Sequence, residues 1–155
     1  MTYEELLIEA ENKDKRLKIK EGSLHKFGLS GICKNNKIAI EKNLNSREKN
    51  CILSEELGHY CTTYGNILDQ TDTNNIKQEK RARNWGYEKL VGIVDLINAF
   101  EKGIRSKHEI AEYLNITEEF LGQAIQHYRE KYGICYEIDN YLVYFEPNLI
   151  ILKML

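Results

Sequence analysis

The chain has no long apolar run. Nothing in its 155 residues approaches the roughly 20 consecutive apolar residues of a membrane span, so no membrane partner is expected. The opening M-T-Y-E-E-L-L carries acids early and no apolar core, unlike a secretory signal. There is no basic excess either: net charge −2 with 30% charged residues describes an ordinary soluble surface and argues against direct nucleic-acid binding. Cysteine is sparse, and Cys33, Cys51, Cys61 and Cys135 include no C-x-x-C pair, which excludes a zinc ribbon and a disulfide framework. They read as reduced thiols of a cytoplasmic protein, three of the four beside isoleucines. Internal repeats and low-complexity linkers are missing too. An apolar fraction of 42% suffices for one core, so residues 1–155 are expected to form one domain.

The residues that are present describe an α+β chain. Thr2 and Glu5 make a capping box before an amphipathic helix running to about Asn12, with Leu6, Leu7 and Ala10 on its apolar face. Leu17 and Ile19 alternate with Lys18 and Lys20 as on a half-buried strand. Residues 29–41 read as a hairpin, with Lys34-Asn35-Asn36-Lys37 as a turn whose asparagines tolerate left-handed backbone. Asn45 with Glu48 caps a central helix that Gly65 stops. A polar loop, Asp69 to Asn74, precedes a second helix capped by Asn75. A third helix over 94–102 ends at Gly103, Ser106 caps Lys107–Leu114, and Thr117 caps Glu118–Tyr132. The tail reads as strands Cys135–Ile138 and Tyr141–Phe145 around an Asp139-Asn140 turn, then Leu149–Leu152 after the only proline, Pro147.

The chemistry concentrates in the central helix, C-I-L-S-E-E-L-G-H-Y-C-T-T-Y-G-N. Glu55 and His59 are four apart and share a face one turn apart, with Glu56 flanking it. The spacing is that of H-E-x-x-H, with Glu55 where the first histidine would stand. Gly58 costs helix propensity, about 1 kcal/mol against alanine, and is explained if another backbone or a substrate comes close. On the second helix Glu79, Ala82 and Gly86 share a face, and the small residues allow an approach that brings Glu79 to the Glu55/His59 pair. A hydrolytic metal site needs about three protein ligands and an open position. Glu55, His59 and Glu79 supply these, leaving Glu56 as general base toward water. Taken alone, E-E-x-x-H is also the pattern of solvated helix acids beside a helix-end histidine, and that reading is the more economical.

The segments I-L-S-E-E-L-G-H-Y-C-T-T-Y-G-N-I, K-Q-E-K-R-A-R-N-W-G-Y-E-K-L and K-G-I-R-S-K-H-E-I-A-E-Y-L-N-I-T-E-E-F-L resemble the ImmA/IrrE family of metallopeptidases of phages, mobile elements and bacterial stress responses. The similarity covers roughly residues 30 to 145. It implies a zinc-peptidase-like fold, with a small antiparallel or mixed sheet on the active-site helix, a helical C-terminal half and a terminal hairpin. It also implies that His59 matches the second motif histidine, Glu56 the catalytic glutamate and Glu79 the downstream acidic ligand. The implied substrate is a protein, typically the helix-turn-helix repressor of the same element. The departure is Glu55: with two carboxylates the divalent ion is a weaker Lewis acid, so zinc gives ground to manganese and a slower enzyme is expected. The alternative is an inactive relative that binds the repressor, an anti-repressor module.

Within the single domain, residues 1–92 are expected to carry the catalytic-like sheet and helices, 93–133 a helical subdomain and 134–155 the terminal strands. The segment E-I-A-E-Y-L-N-I-T-E-E-F-L-G-Q-A-I resembles a helix-turn-helix. Between Ile104 and Tyr132, however, Arg105, Lys107, Arg129 and Lys131 are outnumbered by Glu109, Glu112, Glu118, Glu119 and Glu130, so it reads as a docking subdomain rather than a DNA reader. His25, His108 and His127 read as surface or structural, with His25 the candidate to replace the missing histidine ligand. Tyr60, Tyr64 and Tyr87 are candidates to stabilise an oxyanion.

Overall fold

Capping and alternation place the elements largely where the sequence puts them. The structure, a computed structural model, describes residues 1–62 and 72–155. The expected stop at Gly65, Tyr64 and the start of the polar loop lie outside the described residues. Helix α1 (Tyr3–Lys13) begins with the Thr2/Glu5 capping box, both reciprocal hydrogen bonds being present. Strand β1 (Lys18–Gly22), a short 3-10 turn (His25–Phe27), and strands β2 (Gly31–Lys34) and β3 (Lys37–Glu41) lead to helix α2 (Ser46–Thr62). Helices α3 (Asp72–Leu90), α4 (Ile93–Glu101), α5 (Lys107–Leu114) and α6 (Glu118–Tyr132) follow, then strands β4 (Cys135–Ile138), β5 (Tyr141–Tyr144) and β6 (Ile150–Lys153). The chain is therefore α+β, as expected.

One boundary differs. Asn75 does not cap the second helix, because α3 already starts at Asp72.

The N-terminal sheet has the order β1-β3-β2. The hairpin β2–β3 is antiparallel around Asn35, whose φ of 55° is the left-handed conformation expected at that turn. Strand β1 joins the other side of β3 in parallel, so the sheet is mixed. Period-2 alternation sends Ile19, Cys33, Ile38 and Ile40 to one face, against α2, and leaves β2 as the edge strand nearest that helix.

Helices α2 and α3 form the most extensive helix pairing. Small residues set their distance. A Cβ added at Gly58 would stand 2.1 Å from the Ala82 carbonyl oxygen, and one at Gly86 2.8 Å from Ser54 Oγ. The neighbour at Gly58 is thus the α3 backbone.

Asn50, buried on α2, ties three regions together. Its Nδ2 donates to the carbonyls of Met1 (2.8 Å) and Asn115 (3.0 Å), the latter in the left-handed turn between α5 and α6. Asn50→Ala leaves both carbonyls without this donor and is expected to lower unfolding free energy by about 1–3 kcal/mol in urea denaturation.

One buried cluster runs from Tyr3 through α2, α3 and α5 to Ala124 of α6. A second, of Ile97, Tyr128, Val143 and Phe145, joins α4 and α6 to the antiparallel β4-β5-β6 sheet. Tyr128 donates its hydroxyl to the Val91 carbonyl at 2.6 Å, pinning α6 to the end of α3. No helix among the described residues is long and apolar enough to cross a membrane.

Candidate metal centre

The helical repeat puts Glu55 and His59 on one stripe of α2; the α2–α3 crossing supplies the third group. His59 Nε2 lies 3.3 Å from Glu79 Oε1, the side chains coming from separate helices. Glu55, His59 and Glu79 each offer one ligand atom, all within 4.8 Å of one another. Ligand bonds of about 2.1 Å to one tetrahedral ion put neighbouring donors roughly 3.4 Å apart. The His59–Glu79 separation is already of that size. One nitrogen and two carboxylates form a donor set that suits zinc or a harder divalent ion such as manganese. The residues present therefore fit a divalent cation.

Glu56 has a different environment from Glu55. It is only 8% exposed, lying under strand β2. An added Cβ at Gly31 would stand 3.0 Å from Glu56 Cγ, 3.1 Å from its Oε1 and 2.5 Å from Ile52 Cγ2. A side chain at position 31 would collide with Ile52 and crowd Glu56, so the glycine leaves the Glu56 side chain its room. Burial first, then the charges of Glu55 and Glu79, push the Glu56 carboxyl up to about 7. Burial, followed by the Glu56 charge, likewise pushes the neighbouring Cys33 thiol up to about 11, so it remains a thiol. The cysteines are free, and Cys61 is exposed and outside the three-residue cluster.

Other candidates fall elsewhere. His25 Nδ1 is 3.2 Å from Glu41, whose carboxylate also accepts from the backbone N–H groups of Leu24, His25 and Asn43. His25 thus faces Glu41 at the end of β3 and is not among the three grouped ligand candidates of the described residues. His127 is buried beside Glu88 at 3.1 Å, and His108 is exposed near Glu112 and Glu118. The Tyr60 hydroxyl donates to Asp14 at 2.5 Å. Tyr87 donates to Gln123 at 3.2 Å and borders a recess beside Glu55.

Two residues escaped sequence reasoning. Gly31 carries no pattern that announces it. Arg83 does: it lies four residues, one turn, after Glu79, and its Nε is 3.5 Å from Glu55 Oε1. Arg83, Tyr87, Ile52, Phe120 and Ser30 help line the recess, about 330 Å³, that opens from Glu55 toward α6. A carboxyl of near-neutral midpoint, a cation-competent trio and an adjoining recess are together the parts a hydrolytic centre requires.

A family profile, Peptidase_M78, described as the IrrE N-terminal-like domain, matches residues 5–126. No curated protein matches the chain. No solved structure matches it either.

Proposed function

The chain belongs to the Peptidase_M78 family of IrrE N-terminal-like domains, and from that premise we propose that it is a metal-dependent endopeptidase acting at Glu55, Glu56, His59 and Glu79. The observation that carries this reading is the 3.3 Å approach of His59 Nε2 to Glu79 Oε1 beside Glu55. Glu55, His59 and Glu79 would hold a divalent cation, zinc or manganese, which when bound would supply Lewis acidity to the scissile carbonyl and to water. Glu56 takes the proton from the attacking water and returns it to the leaving amine. The outer edge of β2 receives the substrate backbone as an added strand, and the recess beside Glu55 takes a side chain.

The substrate is a protein, and the resemblance points to the helix-turn-helix repressor of a phage or mobile element, whose cleavage relieves repression. The α5–α6 unit serves as a docking surface, since its charges are mixed and mostly acidic.

Calorimetric titration with zinc and with manganese tests the centre. One equivalent is expected to bind wild type. Loss of groups that only orient a ligand costs roughly 10–100-fold in affinity, so His59→Ala and Glu79→Gln are expected to lose at least that much. Undiminished binding in both variants rejects the centre.

A second reading is favoured by Arg83. Its guanidinium contacts the carboxylate that stands in the first histidine's place. Such an ion pair serves a cation-free relative that sequesters the repressor. Incubation of the repressor with the protein and metal separates the two: fragments support the peptidase, an intact complex the anti-repressor.

A further inference from the structure

The sheet face turned away from α2 carries a row of lysines. The register sets Lys18 opposite Lys37 on one side and Lys34 opposite Lys37 on the other, with Lys20 two residues along β1. Alternation puts Ile19, Cys33, Ile38 and Ile40 on the α2 side, so all four lysines share the outer face with Ala39 and Ile32, and with Glu41 at the end of β3, whose buried carboxylate is taken by the backbone N–H groups of Leu24, His25 and Asn43. All four are exposed, and none has an acidic partner among the described residues.

This arrangement costs stability. Like charges directly opposite one another on paired strands repel, and neighbouring strands are only roughly 4.8 Å apart. The chain as a whole has net charge −2, so the row is a local segregation that total charge does not record. Nothing in the core requires it, since Ile19, Cys33, Ile38 and Ile40 pack on the other face.

We propose that this outer sheet face binds the phosphate backbone of duplex nucleic acid without reading its sequence. The chemistry selects that occupant. Lysine ammonium groups donate to phosphate oxygens as point charges, with no fork geometry that would read a base edge, which suits binding without sequence readout. The paired lysines include no arginine and no aromatic side chain on which an unpaired base would stack. A shallow, three-stranded face lies along a charged rod. The surface is on the side of the sheet opposite Glu55, His59 and Glu79, so occupying it leaves the recess beside α2 open. It departs from the expectation based on total charge because placement, not the sum, determines the local field.

The test is fluorescence anisotropy of a labelled duplex of roughly 30 base pairs with the full chain, across a salt series starting at about 50 mM. Four phosphate contacts give a slope of log affinity against log salt of about −3.6, and the triple variant Lys18→Glu/Lys34→Glu/Lys37→Glu is expected to flatten it by at least about 2.7. The single variant Lys37→Glu keeps lost binding distinct from lost folding. It turns two like-charge pairs into opposite-charge pairs, so its melting temperature is expected to rise by about 2 °C while duplex affinity falls. Absence of salt-dependent binding by wild type, or a slope unchanged in the triple variant, overturns the proposal. So does preferential capture of polyglutamate over the duplex, which would identify an acidic protein as the occupant.

Discussion

Replacing Glu56 by glutamine is expected to abolish proteolysis and, in the same protein, to raise the stability of the metal-free fold. The first effect follows from losing the proton acceptor: positioned general bases contribute typically 10²–10⁴-fold. The second follows from burial. The Glu56 carboxyl has its midpoint at about 7 in the folded chain against 4.5 for an ordinary glutamate. Between those values the folded state holds a proton that the unfolded chain has released, so stability falls as pH rises through that window. Below 4.5 the penalty vanishes, and above about 7 it is fully present. Glutamine never ionises, so the variant is expected to gain on the order of 3 kcal/mol near pH 7.5 and nothing near pH 4. Urea denaturation of both proteins in chelator across that range measures the difference, in which the titrations of all other groups cancel. A cation bound by Glu55, His59 and Glu79 lowers the Glu56 midpoint, so added metal is expected to flatten the wild-type slope. Wild-type cleavage rates in the glutamine variant reject the assigned base; an unchanged stability difference across pH rejects its buried, raised state.

Gly58→Ala is expected to be the most damaging single methyl in the chain's centre. In an isolated helix alanine gains about 1 kcal/mol over glycine. Here the added Cβ stands 2.1 Å from the Ala82 carbonyl oxygen, 2.8 Å from its carbon and 3.0 Å from its Cα, all backbone atoms that no rotamer change moves. The two helices have to separate, and overpacking of that kind costs typically 1–3 kcal/mol and sometimes more. A net loss of about 2 kcal/mol is expected in thermal or urea unfolding. His59 is the next residue and Glu79 lies three before Ala82, so the same movement pulls the ligands apart. Metal affinity is expected to fall roughly 10–100-fold, as when an orienting contact is lost. Gly22→Ala is the control, because a Cβ there meets nothing within 4 Å. A Gly58→Ala protein as stable as wild type would show that the close crossing does not hold the helices at this distance.

Local pattern carried much of this. Glu55 and His59 share a stripe because they are four apart, and no tertiary knowledge is needed to say so. Gly58, Ala82 and Gly86 signalled a close helix crossing because small side chains mid-helix sacrifice propensity or packing unless a neighbour fills the space. Thr2, Asn45, Ser106 and Thr117 marked helix starts through side-chain oxygens that accept backbone N–H groups, as the structure finds. The same reasoning misplaced the start of α3, where Asn75 offered a cap that the helix, beginning at Asp72, does not use.

Other features had no local signature. Glu55 and Glu56 are adjacent and chemically identical, yet one contacts Arg83 while the other is buried behind Gly31 with its midpoint near 7. His25 was a candidate ligand on chemistry alone until Glu41 was found beside it. Lys18 and Lys20 alternate along one strand and Lys34 and Lys37 flank a turn in the sequence; the parallel pairing of β1 with β3 sets them in one row.

The amino-acid sequence by itself determined which groups share a helix face or strand face, because the 3.6- and 2-residue periods are properties of the backbone alone. It therefore determined the α+β class and the identity of the groups capable of holding a cation. Tertiary structure alone decided how far apart Glu79 and His59 stand, which of two neighbouring glutamates is desolvated, and where Arg83 and the lysine row fall. Those are distances between elements, set by how side chains from distant parts of the chain fill the space at α2, and one element's periodicity contains no record of them.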